Sequence, residues 1–185
     1  MTTGAVHDAT QRAWSLLALG DSRQFAGNDG YDDLVARHYS YDSTVPNCRR
    51  VVKGDLAVLR DSDGLIGVGW IEEIDERPGQ KLRRRCPVCH TTALKHRAVK
   101  RPQYRCDHGH EFDEAAEELL DVVRYRAHYA PTWQPLSRLL SAVELGSLYR
   151  AAAQQHAIRE LHFDRFRSAV EEKVMQQPGW WDGLL

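Results

Sequence analysis

The chain has 185 residues, 42% of them hydrophobic, with 25 Lys plus Arg against 26 Asp plus Glu and a formal net charge of -1. That length and composition give enough apolar surface for a real core, so one domain, or one domain with a small insertion, is expected rather than a disordered chain. No run approaches the ~20 apolar residues of a membrane helix. The N-terminus lacks the basic-then-apolar pattern of an export signal, which predicts a cytoplasmic protein with no membrane partner.

Taken in order, the apolar run from Ala13 to Leu19 reads as a strand or a short helix. A turn-rich, aromatic stretch follows from Gly27 to Asn47. Val51, Val52 and Leu56 to Leu59 form one β-rich run and Leu65 to Ile74 another. Asp61-Ser62-Asp63-Gly64 between them is a turn signal, so residues 48–77 read as a hairpin. Gly54-Asp55 marks a tight turn into its first strand. Residues 78–113 carry basic residues and cysteines. From Glu114 the pattern turns helical: Leu139, Leu140, Val143, Leu145 and Leu148 recur at helical spacing, and a second helix is predicted over roughly Ala151 to Met175. The tail, Gln176 to Leu185, is expected to pack back onto the domain or to be poorly ordered.

The net charge hides a segregation. Lys81 to Arg105 contains nine basic residues and no acid, whereas Asp107 to Asp121 contains seven acids and no Lys or Arg. Two readings stay open: solvated faces that compensate one another, or a phosphate-binding patch.

Three of the four cysteines fall in one stretch, Cys86-Pro-Val-Cys89, then sixteen residues, then Cys106-Asp-His-Gly-His110. Two thiolates two residues apart converge on a tetrahedral ion, and the spacing to Cys106 suits such a site. The fourth ligand is His108 or His110. Three thiolates and one imidazole favour Zn²⁺, and a complete shell leaves no open position for water, so the role is structural. The stretch also resembles the N-terminal zinc ribbon of certain ribosomal RNA guanine methyltransferases, a resemblance that favours His110. Cys48 stands apart and is expected to be buried and inert.

Three tyrosines and several hydrogen-bonding groups crowd residues 28–47, a composition suited to a planar ligand and its edge, or equally to core and turn caps. Here the ordered motifs carry a resemblance. Tyr41-Asp42-Ser43-x-Val45-x-Asn47, then Gly54-Asp55-Leu-Ala-Val-Leu-Arg60-Asp61, then Ile66-Gly67-Val-Gly69 and Ile71-Glu-Glu-Ile74 resemble the N-terminal modified-base reader of bacterial McrA-like restriction proteins. The resemblance implies an α+β fold: a PUA/EVE/SRA-like bent β-barrel over residues 1–80 and 111–135, with a zinc-ribbon insertion at 81–110 and C-terminal helices over 136–185. It implies binding of double-stranded DNA that carries a modified cytosine, such as 5-methylcytosine, with the base flipped out. The pocket residues it implies are Tyr31, Tyr39, Tyr41, Asp42, Ser43, Asn47 and Trp70, with Arg60 and Trp133 as weaker candidates. Phosphates would be held by Arg49, Arg50, Lys53, Lys81, Arg83, Arg84 and Arg85, and the metal by Cys86, Cys89, Cys106 and His110. Such readers accompany an HNH nuclease, yet nothing after Leu136 has the His- and Asn-bearing pattern of that nuclease. A binding protein is expected rather than an enzyme, acting alone or with a nuclease domain or partner. Two alternatives remain: an RNA-binding PUA-like module, and a nuclease or glycosylase acting through another site, with Asp42 the candidate glycosylase group.

Overall fold

The computed structural model describes residues 11–18, 31–151 and 156–174. Leu19, the segment 27–30 and the tail 176–185 discussed above lie outside the described residues. The chain is mixed α+β, with eleven strands, two α-helices and a short 3-10 helix (Ala130–Thr132) among the described residues.

A five-stranded sheet forms the centre. β1 (Ala13–Leu17) lies between β3 (Leu56–Arg60), to which it is parallel, and β11 (Ile158–Leu161), to which it is antiparallel; β4 (Leu65–Trp70) and the short β10 (Gln134–Pro135) complete the order β10-β4-β3-β1-β11. β1 explains its own ambiguity in sequence. Trp14 and Leu16 enter one core cluster and Ala13 the other, so both faces are covered and the strand has no polar alternation. The predicted β3–β4 hairpin forms, with the Asp61 carboxylate accepting from the amides of Asp63 (2.8 Å) and Gly64 (3.0 Å) across the turn. A Cβ at Gly64 would lie 2.3 Å from the Leu140 carbonyl oxygen, which is why the turn ends in glycine. The second run does not continue to Ile74. It breaks after Trp70, and Ile71 donates to the Asp55 carbonyl at 2.9 Å while the chain crosses to another sheet.

That second sheet has the order β2-β9-β5, from β2 (His38–Asp42), β9 (Ala116–His128) and β5 (Glu73–Arg85). β5 and β9 pair along thirteen residues, but β2 covers only Arg124 to His128 of β9. The remainder is a two-stranded arm. Its tip carries a third sheet of β6 (Leu94–His96), β7 (Tyr104–Cys106) and β8 (Glu111–Phe112). The helical reading from Glu114 is therefore wrong for β9. Its Glu and Leu residues are helix formers, but full-length pairing with β5 overrides so weak a preference. Val122, Tyr125 and Ala127 bury on packing, and Arg83–Glu118 (2.8 Å) and Arg84–Glu117 (3.0 Å) close cross-strand ion pairs. Lys81 to Arg85, expected within the insertion, belong to β5 itself.

Trp14, Leu16, Tyr39, Tyr41, Tyr125 and Ile158 fill the core between the two larger sheets. On the other face of the central sheet, Leu140, Leu145, Phe166 and Val170 cover Leu56, Val58 and Val68. The C-terminal stretch is less helical than expected. It contributes one turn and a half of helix, α1 (Ala142–Gly146), then strand β11, then α2 (Phe163–Val174). Leu140, Leu145 and Leu148 are core residues, but only Leu145 of them is helical. Among the described residues the larger sheets keep open edges, β10 and β11 in one and β2 and β5 in the other, so the expected barrel is not closed. No helix among them is long and apolar enough to cross a membrane.

Candidate functional site

Directly opposed residues on neighbouring strands share a face of the sheet. In the β2-β9-β5 sheet this register puts Tyr41, Tyr125 and Glu76 in one row. The Tyr41 and Tyr125 rings stack with centroids 5.1 Å apart. Tyr41 is 1% exposed and Tyr125 7%, while Glu76 is exposed, so the row runs from core to solvent. At its outer end opens a groove of about 800 Å³ whose walls include Tyr125, Glu76, Cys48, Val51, Arg49 and Lys53. The Tyr41 hydroxyl is buried behind this wall without a hydrogen-bond partner among the described residues. Burial pushes its pKa well above the usual phenol range, and the proximity of Cys48, Tyr125 and Glu76, three residues of the groove, adds to the shift. A buried hydroxyl without a partner is rare and carries a desolvation penalty.

The seven residues read as one base pocket do not share one space. Tyr39 and Tyr41 are interior, with the Tyr39 hydroxyl donating to the Leu17 carbonyl at 3.3 Å. Trp70 lies in the other core against Phe163, ring centroids 6.0 Å apart. The Asn47 amide donates to the Ile158 carbonyl at 3.0 Å, and Ser43 exchanges hydrogen bonds with Val123, tying the turn after β2 to β9. Asp42 is saturated. It accepts from Lys81 Nζ (2.8 Å), Tyr31 Oη (2.5 Å), and the amide and hydroxyl of Thr44 (2.7 and 2.5 Å). Burial opposes its ionisation, but the Lys81, Thr44 and Tyr31 donors outweigh burial and hold the carboxyl below its usual range. Trp133 packs on Tyr129, and Arg60 donates to the Ser15 hydroxyl at 2.9 Å. Among the residues that line the groove, Glu76 and Tyr125 escaped sequence reasoning, because only strand register brings them beside Cys48 and Val51.

The basic residues divide likewise. Arg49 and Lys53 line the groove. Lys81 is bound to Asp42, Arg83 and Arg85 both reach Glu118, and Arg84 reaches Glu117. Those Arg83 and Arg85 donors hold the Glu118 carboxyl below its ordinary range. Arg50 bonds Glu160 at 2.5 Å and covers the Trp14 ring. For Arg83 to Arg85 the compensating-charge reading describes the geometry. The Gly54-Asp55 motif is a lock: Gly54 takes φ +89°, and buried Asp55 accepts from Trp14 Nε1 (2.8 Å) and the Val52 amide (2.9 Å).

At the tip of the arm the ligand atoms of Cys86, Cys89, Cys106 and His110 lie within 4.8 Å of one another, so this set can hold a metal ion. The contacts Cys89–Cys106 (3.8 Å), Cys86–His110 (3.6 Å) and Cys106–His110 (3.4 Å) match the edges, about 3.8 Å or less, of a tetrahedron built on ~2.3 Å metal–sulfur bonds. Two turns shape it. The Val88 amide points at Cys86 Sγ (3.4 Å), and Gly109, at φ +87°, returns the chain so that His110 faces the thiols. His108 Nδ1 lies 3.2 Å from Cys89 Sγ and 3.9 Å from the Asp107 carboxylate, and Cys106, Asp107 and His108 form a second, more exposed group whose ligand atoms lie within 4.8 Å of one another. Burial opposes the Cys86 thiolate, yet the Cys89 and Val88 amides bring its pKa down to about 6; at Cys89 the Thr91 amide favours the thiolate, but burial and the Cys86 and Cys106 thiols outweigh it and raise the pKa. Packed thiolates that oppose one another's ionisation are relieved by a cation.

No protein-family model, curated protein or solved structure matches this chain.

Proposed function

We propose that this chain binds double-stranded DNA carrying a modified cytosine and takes the extruded base into the groove beside Tyr125. The row Tyr41–Tyr125–Glu76 is the observation that carries the reading. An aromatic wall gives a base a stacking partner, at about 1–3 kcal/mol per base. A carboxylate is the natural acceptor for the exocyclic amine of cytosine. Val51 and Val123 supply apolar surface for a 5-methyl group, worth about 1 kcal/mol. Arg49 and Lys53 stand at the same groove to meet flanking phosphates. The YDS-x-V-x-N and Gly-Asp motifs, similar to those of McrA-like readers, flank this groove, and a PUA/EVE-like relationship is part of the proposal. Binding rather than catalysis fits Asp42, whose oxygens are already taken by Lys81, Tyr31 and Thr44. The ion at the Cys/His cluster is read as structural Zn²⁺, since three thiolates and one imidazole suit a soft, redox-inert tetrahedral centre.

The test is affinity at fixed salt for one duplex with and without 5-methylcytosine, and for a structured RNA. The expected result is a several-fold preference for the methylated duplex and at least tenfold weaker binding by Glu76→Ala. Equal affinity for all three would leave a nonspecific polyanion binder, and tighter RNA binding would favour an RNA module.

A further inference from the structure

On the opposite face of the central sheet from the Tyr41 core, two arginines meet without a carboxylate among the described residues. Ser15 of β1 is buried and lies directly across from Arg159 of β11. Arg60, at the end of β3, donates from Nε to the Ser15 hydroxyl at 2.9 Å. The same hydroxyl is 3.1 Å from the Tyr149 hydroxyl, and the Arg159 guanidinium lies over the Tyr149 ring at 3.4 Å. One N–H group of Arg159 reaches the Ala151 carbonyl (3.1 Å). Each guanidinium has five N–H donors, so most of those in this cluster have no protein acceptor among the described residues. The acids beside them in sequence are engaged elsewhere: Asp61 with Arg138, and Glu160 with Arg50 and Arg150. Burial, and the charge of Arg60, make the Arg159 cation less favourable than usual.

Two half-buried like charges held side by side are unfavourable unless an anion is shared between them. We propose that Arg60, Arg159 and Tyr149 form a binding site for a phosphate group, with both guanidinium forks and the phenol hydroxyl donating to its oxygens. Planar forks match phosphate oxygens in pairs, which a lone ammonium does not. Ser15 is the positioning residue: its hydroxyl links Arg60 to Tyr149, so both are held before the ligand arrives. The phosphate comes either from a free or terminal phosphoryl group or from a nucleic-acid backbone. This site stands on the far face of the sheet and does not depend on the groove.

The test uses the full chain at low ionic strength, titrated calorimetrically with inorganic phosphate and, separately, followed by anisotropy with a short labelled duplex. A saturable response to at least one is expected. Arg60→Gln and Arg159→Gln should each weaken it about tenfold or more, and Tyr149→Phe by less. Arg150→Gln, which changes an exposed arginine paired with Glu160, should leave it unchanged. Arg159→Lys, expected to preserve the fold, should fall between wild type and Arg159→Gln if fork geometry matters. Loss confined to inorganic phosphate assigns a free phosphoryl ligand; loss confined to the duplex assigns the backbone. The proposal is overturned if neither probe binds, or if binding survives both arginine variants unchanged. Loss of methyl preference in Glu76→Ala with phosphate binding intact, or the reverse, separates this site from the groove.

Discussion

In the two-sheet body, Phe166 and Val170 sit fully buried in one cluster, and Trp14, Tyr39 and Tyr41 in another. At the tip of the β5–β9 arm, the buried residues are Cys86, Leu94 and Cys106 alone, and two of these three are candidate ligands. The body contains enough side chain to exclude water by itself. The tip does not: modules below about 40 residues need a metal, disulfide or partner to fold. The difference teaches that the body is stabilised by buried side chains, whereas the tip would draw its stability from an ion held by the Cys/His cluster.

The largest effect should follow metal removal. Chelation, or Cys86→Ser, should unfold the tip, since structural zinc is worth on the order of 10 kcal/mol to such modules. Amide exchange protection over 86–112 should vanish while the body keeps its thermal transition. If the body melted with the tip, the two regions would be one cooperative unit. Next, Phe166→Ala should destabilise the body by about 3–5 kcal/mol through the cavity it leaves, without changing bound metal by elemental analysis. Asp42→Asn weakens a charged network inside the body and should lose about 2 kcal/mol at neutral pH. Because the folded pKa of Asp42 is depressed, its contribution is present above the unfolded value near 4 and is lost as pH falls through the lower folded value. Denaturant titrations should therefore show the Asn variant converging on wild type in acid. Smallest is Glu118→Gln on the exposed arm, a smaller loss than any of these by the same assay, because surface pairs with Arg83 and Arg85 are screened.

Sequence reasoning reached the features whose cause is local. Asp61 to Gly64 closes a turn through its own side chain, Cys86 to His110 carries ligand spacing, and the helix expected over roughly Ala151 to Met175 is present as the shorter α2, Phe163–Val174. It missed those decided by distant partners. β9 reads as a helix in isolation and is a strand because β5 pairs with it for its whole length. The tyrosines after Tyr31 look like a binding surface, but alternation along β2 turns Tyr39 and Tyr41 inward and commits Asp42 to Lys81 on the other face. The groove itself draws on the turn after β2 and on β5 and β9, so no single stretch could announce it. Glu76 looked like one acid among many until register set it beside Tyr125.

The most direct test of the account is a co-crystal structure with a short duplex containing one 5-methylcytosine. The account predicts the methylated base out of the stack, against Tyr125, with its exocyclic amine at Glu76. A duplex bound with that base still stacked, or the base held anywhere other than this groove, would contradict it.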